Sequence, residues 1–236
     1  MSQVLTNILK SAAAEEKLLA VLIDPDKFKT DSASEFLRKI PRQATHILVG
    51  GSRVENGRTE ACVKALKAET QLPVILFPGD HSHITGAADA LFFLSLLSGR
   101  NPEFLIGQQV RSVNKIRQTQ LEIIPTGYIL VDGGKECAVH HVSQTSPLSP
   151  KDPETIVNTA LAGEYSGKGL VYLEAGSGAK FPVSAQIISL VKKAISVPLI
   201  VGGGIRSAEA LSEAYTAGAD MVVVGTAFEN EDFFLS

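Results

Sequence analysis

The 236-residue chain contains no tryptophan, two cysteines and two methionines. Cys62 and Cys137 are too few for a disulfide framework or a cysteine zinc site, so both are read as structural. Long hydrophobic runs are also missing. The longest apolar stretch, residues 90–97, falls far short of the roughly 18 that mark a membrane span. The N-terminal residues show no basic-then-apolar secretion pattern. A cytoplasmic protein with at most transient membrane contact is expected, since no basic amphipathic anchor stands out. Basic excess is lacking as well. Lys and Arg number 22 against 25 Asp and Glu, a net charge of −3, so a nucleic-acid surface is not expected and any phosphate must be held locally. Charged residues make up 20% of the chain, below the roughly 25% norm. What is plentiful is apolar: a 44% hydrophobic share calls for an apolar interior or an apolar ligand groove. The length suits a single domain over residues 1–236, close to the roughly 250 of one α/β barrel.

Short apolar or β-branched runs bounded by Gly, Pro or Asp predict eight strands, at residues 18–23, 46–49, 74–77, 90–93, 129–131, 169–173, 199–201 and 221–224. Helical periodicity lies between most of them, at 34–40, 59–68, 153–162, 184–195 and 207–217, the alternation of a parallel sheet. Asp152-Pro153 and Ser207 read as helix starts. The interval between strands three and four holds about twelve residues, among them Pro78, Gly79 and Gly86, too few for two loops and a covering helix. The outer ring is therefore expected to be open there, beside Phe77, Leu91, Phe92 and Phe93. Those residues serve either a long apolar ligand or a plain core; spacing alone leaves both open.

In such a barrel the chemistry sits just after each strand. Three successive strand ends are glycine-rich: Tyr172-Leu173-Glu174-Ala175-Gly176-Ser177-Gly178, Gly202-Gly203-Gly204-Ile205-Arg206 and Gly225-Thr226. Glycine lets backbone N–H groups approach an anion, and a helix N-terminus adds partial positive charge, so a phosphate fits. Tight barrel turns are the alternative use. Asp24, in Asp24-Pro25-Asp26-Lys27, places a carboxylate at the mouth, and Ser52 adds a hydroxyl after strand two. Together they suit Mg²⁺, which takes one or two carboxylates, water and substrate phosphate; a helix cap is the alternative for Asp24. Glu174 reads as a base on the phosphate-bound substrate, with a structural hydrogen bond as its alternative, and Tyr172, on the same side of the strand, either orients that substrate or packs the core. The pairs His81-x-His83 and His140-His141 raise a zinc hydrolase, but the strand-six and strand-eight ends offer no further histidine. Lys135 lies beyond a strand in a glycine loop and reads as a surface lysine rather than a Schiff-base amine.

Taken together, Leu-Ile-Asp-Pro-Asp-Lys, Val-Gly-Gly-Ser, Tyr-Leu-Glu-Ala-Gly-Ser-Gly, Val-Gly-Gly-Gly-Ile-Arg, Val-Gly-Thr and the segment from Ser98 to Gln109 closely resemble the geranylgeranylglyceryl phosphate synthase family. The resemblance spans nearly the whole chain. It implies an α/β fold, a modified TIM (β/α)8 barrel with the helix between strands 3 and 4 missing or reduced. It also implies a magnesium-dependent prenyltransferase that joins a polyprenyl group, geranylgeranyl by the family's name, to the 3-hydroxyl of sn-glycerol 1-phosphate, forming the first ether bond of an ether lipid. Carried over by residue, it places Mg²⁺ on Asp24 and Ser52. The polar substrate falls to Tyr172, Leu173, Glu174, Ala175, Gly176, Ser177, Gly178, Gly203, Gly204, Gly225 and Thr226, with Leu173 and Ala175 giving only backbone or packing. Related bacterial enzymes carry a lysine where this chain has Leu22. Family members are commonly dimers or hexamers, so a homo-oligomer is expected.

The implied order of events follows from acidity. A carboxylate of pKa about 4.3 faces an alcohol near 15.7, a gap of about 11 pKa units or roughly 15 kcal/mol. Glu174 therefore takes the proton late, after the allylic C–O bond has begun to break and the oxygen bonds to the cationic carbon. Arg100 is a candidate contact for the diphosphate, with a surface role as its alternative. Two rival readings stand beside this one. The first is a phosphate-binding barrel isomerase or lyase acting on a small phosphorylated metabolite, and the second is an inactive phosphate-binding barrel.

Overall fold

The computed structural model describes residues 3–52 and 54–225. Eight parallel strands close into a barrel in sequence order: β1 (Leu18–Ile23), β2 (Ala44–Val49), β3 (Val74–Leu76), β4 (Ala90–Leu96), β5 (Glu122–Leu130), β6 (Leu170–Glu174), β7 (Leu199–Gly202) and β8 (Met221–Val224). The ring closes through Leu18↔Met221 to Val21↔Val224. Side chains alternate between two cores, as the two-residue period of a strand requires. On β6, Leu170 and Tyr172 fill the barrel interior, while Val171 and Leu173 face the surrounding helices.

The helices are α1 (Val4–Ala13), α2 (Ala33–Lys39), α3 (Arg58–Glu69), α4 (Gln108–Ile116), α5 (Ala138–Ser143), α6 (Pro153–Tyr165), α7 (Ala185–Ala194) and α8 (Ala208–Thr216). The read starts at Asp152 and Ser207 hold, and Ser184 starts a helix in the same way: each accepts an N–H three residues on, the usual side-chain cap. Between β3 and β4 there is only a three-residue 3-10 turn, His81–His83. The outer ring is thus incomplete where the short interval predicts a gap. None of the described helices is long and apolar enough to cross a membrane.

Sequence reading found the strands but missed three helices. α1 precedes the first strand and lies across the N-terminal end of the barrel, where Val4 and Ile8 join the interior core. α4 continues directly from a π-helical turn, Glu103–Gly107. α5 carries the adjacent His140 and His141. β5 is also longer than the run at 129–131, because Pro125, Thr126 and Gly127 interrupt its apolar pattern. Pro125 has no N–H, but its carbonyl still accepts from Gly169 (2.8 Å).

Candidate active site

The C-terminal strand ends surround a cavity of about 400 Å³ with two unlike halves. One half is polar and backbone-rich, lined by Asp24, Ser52, Glu174, Ser177, Gly178, Gly203, Gly204 and Gly225. The other is apolar, lined by Ile84, Leu91 and Phe93 on the helix-facing side, where the outer ring lacks its helix, and by Phe77, Phe92, Leu94 and Phe104 on the barrel-interior side. The four apolar residues expected beside that gap therefore all reach the cavity.

Glu174 ends β6 and is buried to 6% exposure. Its Oε1 accepts the Gly176 N–H at 2.7 Å. Burial is the dominant influence and pushes its carboxyl up to about 7, against the opposing pull of the Gly176 N–H and the Tyr172 hydroxyl. Tyr172 is fully buried, and burial, then the neighbouring Glu174 charge, holds its phenol well above the ordinary value. Its hydroxyl lies close to Glu174 but makes no well-formed hydrogen bond among the described residues. Beneath them the Tyr172 ring stacks on Phe77 (5.3 Å between centroids) and leans on Tyr128 (5.4 Å). This aromatic layer floors the cavity and shields the carboxyl from water below.

The glycine loops give this base its surroundings. Gly203 adopts φ +82°, and a Cβ there would stand 2.3 Å from Glu174 Oε1 and 2.7 Å from the Gly176 nitrogen. No side chain can occupy that position without displacing the carboxylate. Gly176 itself spends its N–H on Glu174 and does not line the cavity, a use of this glycine that sequence reading missed. Leu173 and Ala175 are buried toward the helices, in keeping with a packing role. Thr226 lies outside the described residues.

Asp24 follows β1 and Ser52 follows β2, both on the cavity wall. Asp24 Oδ1 accepts the Asp26 N–H (3.1 Å), and Oδ2 is 3.7 Å from the Lys27 ammonium. Arg100 is not in this assembly. Its guanidinium turns back onto the Leu97 (3.1 Å) and Gly99 (2.8 Å) carbonyls, away from the cavity. The histidine pairs do not converge. His81 and His83 occupy the short turn after β3, whereas His140 and His141 stack on each other in α5 with ring centroids 5.5 Å apart. Among the described residues no group of three or more His, Cys, Asp or Glu is placed to hold a metal. Lys135 is exposed, and Cys62 and Cys137 are both buried and free. Sequence reading also missed His81, Gln108, Gln109 and Arg206 as cavity residues. Each carried a signal of another kind: Gln108 and Gln109 end the segment that follows β4, Arg206 ends Val-Gly-Gly-Gly-Ile-Arg, and His81 belongs to the His81-x-His83 pair.

The comparisons agree with this architecture. A model described as the PcrB family matches residues 11–234. A Zunongwangia profunda protein named geranylgeranylglyceryl phosphate synthase is 55% identical over 233 residues, 99% of this chain and 100% of its own length. A Pyrococcus furiosus protein of the same name is 45% identical over 218 residues, 92% of this chain and 86% of its own. The crystal structure of (S)-3-O-geranylgeranylglyceryl phosphate synthase from Thermoplasma acidophilum, in complex with sn-glycerol-1-phosphate, matches with a TM-score of 0.88 and 36% identity, over 97% of this chain and 92% of that one. The chain belongs to the PcrB family, among the prenyltransferases named geranylgeranylglyceryl phosphate synthases.

Proposed function

We propose that the chain transfers a polyprenyl group, geranylgeranyl in the first instance, from its diphosphate to the 3-hydroxyl of sn-glycerol 1-phosphate. The observation that carries this reading is that one cavity joins a buried carboxylate and glycine loops to an apolar groove. A small polar phosphate ester fits one half and an isoprenoid tail the other. An isomerase or lyase has no use for the apolar half.

In this reading Ser177, Gly178, Gly203, Gly204 and Gly225 hold the phosphate end of the acceptor, and Tyr172 and Glu174 orient its hydroxyl. The raised Glu174 carboxyl, at about 7, narrows the acidity gap to an alcohol to roughly 9 pKa units, about 12 kcal/mol. Deprotonation before attack is still excluded. The allylic C–O bond loosens first, the acceptor oxygen bonds to the cationic carbon, and Glu174 takes the proton as that oxygen acidifies.

One carboxylate and one hydroxyl on neighbouring strand ends line the same cavity, a donor set to which substrate phosphate oxygens and water would add, as is usual for Mg²⁺. Asp24 and Ser52 would hold it in this chain. When bound, the ion offsets charge on the departing diphosphate. The same reading includes a homo-oligomer, dimer or hexamer, in the cytoplasm; mass measurement in solution and cell fractionation test those parts.

The test of the reaction is incubation with radiolabelled sn-glycerol 1-phosphate and prenyl diphosphates of several lengths, with Mg²⁺ or EDTA, followed by butanol extraction. Label entering the organic phase only with Mg²⁺ is the expected result. Tight glycerol phosphate binding without transfer from any donor overturns it.

A further inference from the structure

We propose that His81 is a binding contact for the diphosphate end of the prenyl donor, an assignment that rests on the transferase reading above. The turn after β3 runs against the wall that carries Ser52. A Cβ on Gly79 would lie 2.5 Å from the Gly51 carbonyl oxygen and 2.8 Å from Ser52 Cα, so only glycine permits the approach. Two residues further on, His81 lines the cavity together with Gln108 of α4 and the apolar residues Ile84, Phe93 and Leu94. His81 thus stands between the Asp24–Ser52 rim and the apolar groove, where the anionic head of an amphiphile meets its tail.

The ring is held in a defined way. The His81 backbone N–H donates to Gln108 Oε1 at 2.8 Å, which identifies that atom as the oxygen of the amide. Nδ1 lies 2.9 Å from the same oxygen, and since the oxygen only accepts, Nδ1 carries the hydrogen. Asp80 Oδ1 is 3.2 Å from Nδ1. Nδ1 is thereby committed to the protein, and Nε2 is the ring position left for a ligand. Asp80 and Gln108 hold the Nδ1 side in place, so a hydrogen on Nε2 is aimed outward for donation to a phosphate oxygen. The other charged or titratable groups near this turn include His83, Asp26, whose carboxylate acts on His83, and Lys115, whose ammonium donates to the Ser82 carbonyl (3.1 Å). Arg100 faces elsewhere.

The test separates a ligand contact from a tether. In H81N the amide nitrogen substitutes for Nδ1, and in H81Q it substitutes for Nε2. The expected result is a KM for prenyl diphosphate raised roughly tenfold or more in H81N and less in H81Q. The KM for glycerol 1-phosphate should hold within about twofold, and the calorimetric Kd of inorganic pyrophosphate should move with the donor KM. H81N matching wild type while H81Q fails assigns His81 to tethering α4 alone and overturns the contact. Wild-type turnover with no change in either variant sinks this assignment and leaves the transferase reading intact. No wild-type turnover with any donor sinks both.

Discussion

The two ends of the barrel are made from the same strands and are filled in opposite ways. At the N-terminal end Leu18, Ala90, Ile124, Leu170 and Met221 pack with Val4 and Ile8 of α1 into an apolar core, with buried His46 and Thr126 among the strand residues there. At the C-terminal end the strands finish in Asp24, Glu174, Gly203 and Gly225 around a cavity. β6 shows both within five residues, since Leu170 and Tyr172 are fully buried and Glu174 ends the same inward-facing row. One end is optimised for burial, whereas the other keeps a carboxyl where ionisation is unfavourable. A difference of that kind separates a stabilising end from a working end, and changes at each end should be felt in different measurements.

The largest expected effect is at the working end. E174Q keeps the shape of the side chain and removes the proton acceptor, so kcat should fall by about 10²–10⁴, with glycerol phosphate binding retained in calorimetry. Stability should change in the opposite sense. The folded carboxyl sits near 7 rather than 4.5, so its protonated form favours folding below pH 4.5 and that contribution is lost as pH rises through 7. E174Q should therefore be the more stable protein at pH 8 in urea unfolding, with the difference closing toward pH 4.5. A variant that loses activity and stability together at pH 8 would break the contrast between the ends.

At the stabilising end, I8A removes a fully buried side chain and should cost about 2–5 kcal/mol in chemical denaturation. Its kcat at a temperature where it remains folded should match wild type. A loss of kcat in the folded variant would mean that α1 reaches the cavity through the barrel core. Smaller again is the pH response of the intact enzyme. With Glu174 as late proton acceptor, kcat/KM should drop about tenfold per pH unit below an apparent pKa near 7, and the acid limb should vanish in E174Q. A limb that persists in the variant assigns the titration to another group.

The same contrast explains what was legible from sequence. Burial leaves a pattern: residues 18–23 and 221–224 are read as strands and are strands, because unbroken β-branched and leucine runs have few other uses. The short interval between β3 and β4 also speaks for itself, since about twelve residues are too few for two loops and a covering helix. Loops after strands carry residue types but not directions. Arg100 has the right charge and turns away, while His81 was weighed as a metal ligand and instead reaches the cavity through Gln108. Gly176 looked like a phosphate N–H and is committed to Glu174. α1 went unread because its apolar face matters only once a barrel exists to be covered.

The smallest expected effect tests how α1 is held there. Its N-cap residue Gln3 makes no side-chain cap, yet a helix start leaves N–H groups that need acceptors. Glu122 at the beginning of β5 supplies them, its Oε2 accepting from Val4 (2.7 Å) and its Oε1 from Leu5 (3.1 Å). The carboxylate thus caps a helix 117 residues away in sequence and sets a negative charge against its positive end. E122Q keeps one acceptor and loses the charge, so a cost of about 1 kcal/mol is expected, read as a lower urea midpoint with unchanged m-value and unchanged kcat. If the loss instead approaches that of I8A, the carboxylate is doing more than capping: the seating of α1 on the barrel floor would then depend on this one polar clamp rather than on Val4 and Ile8.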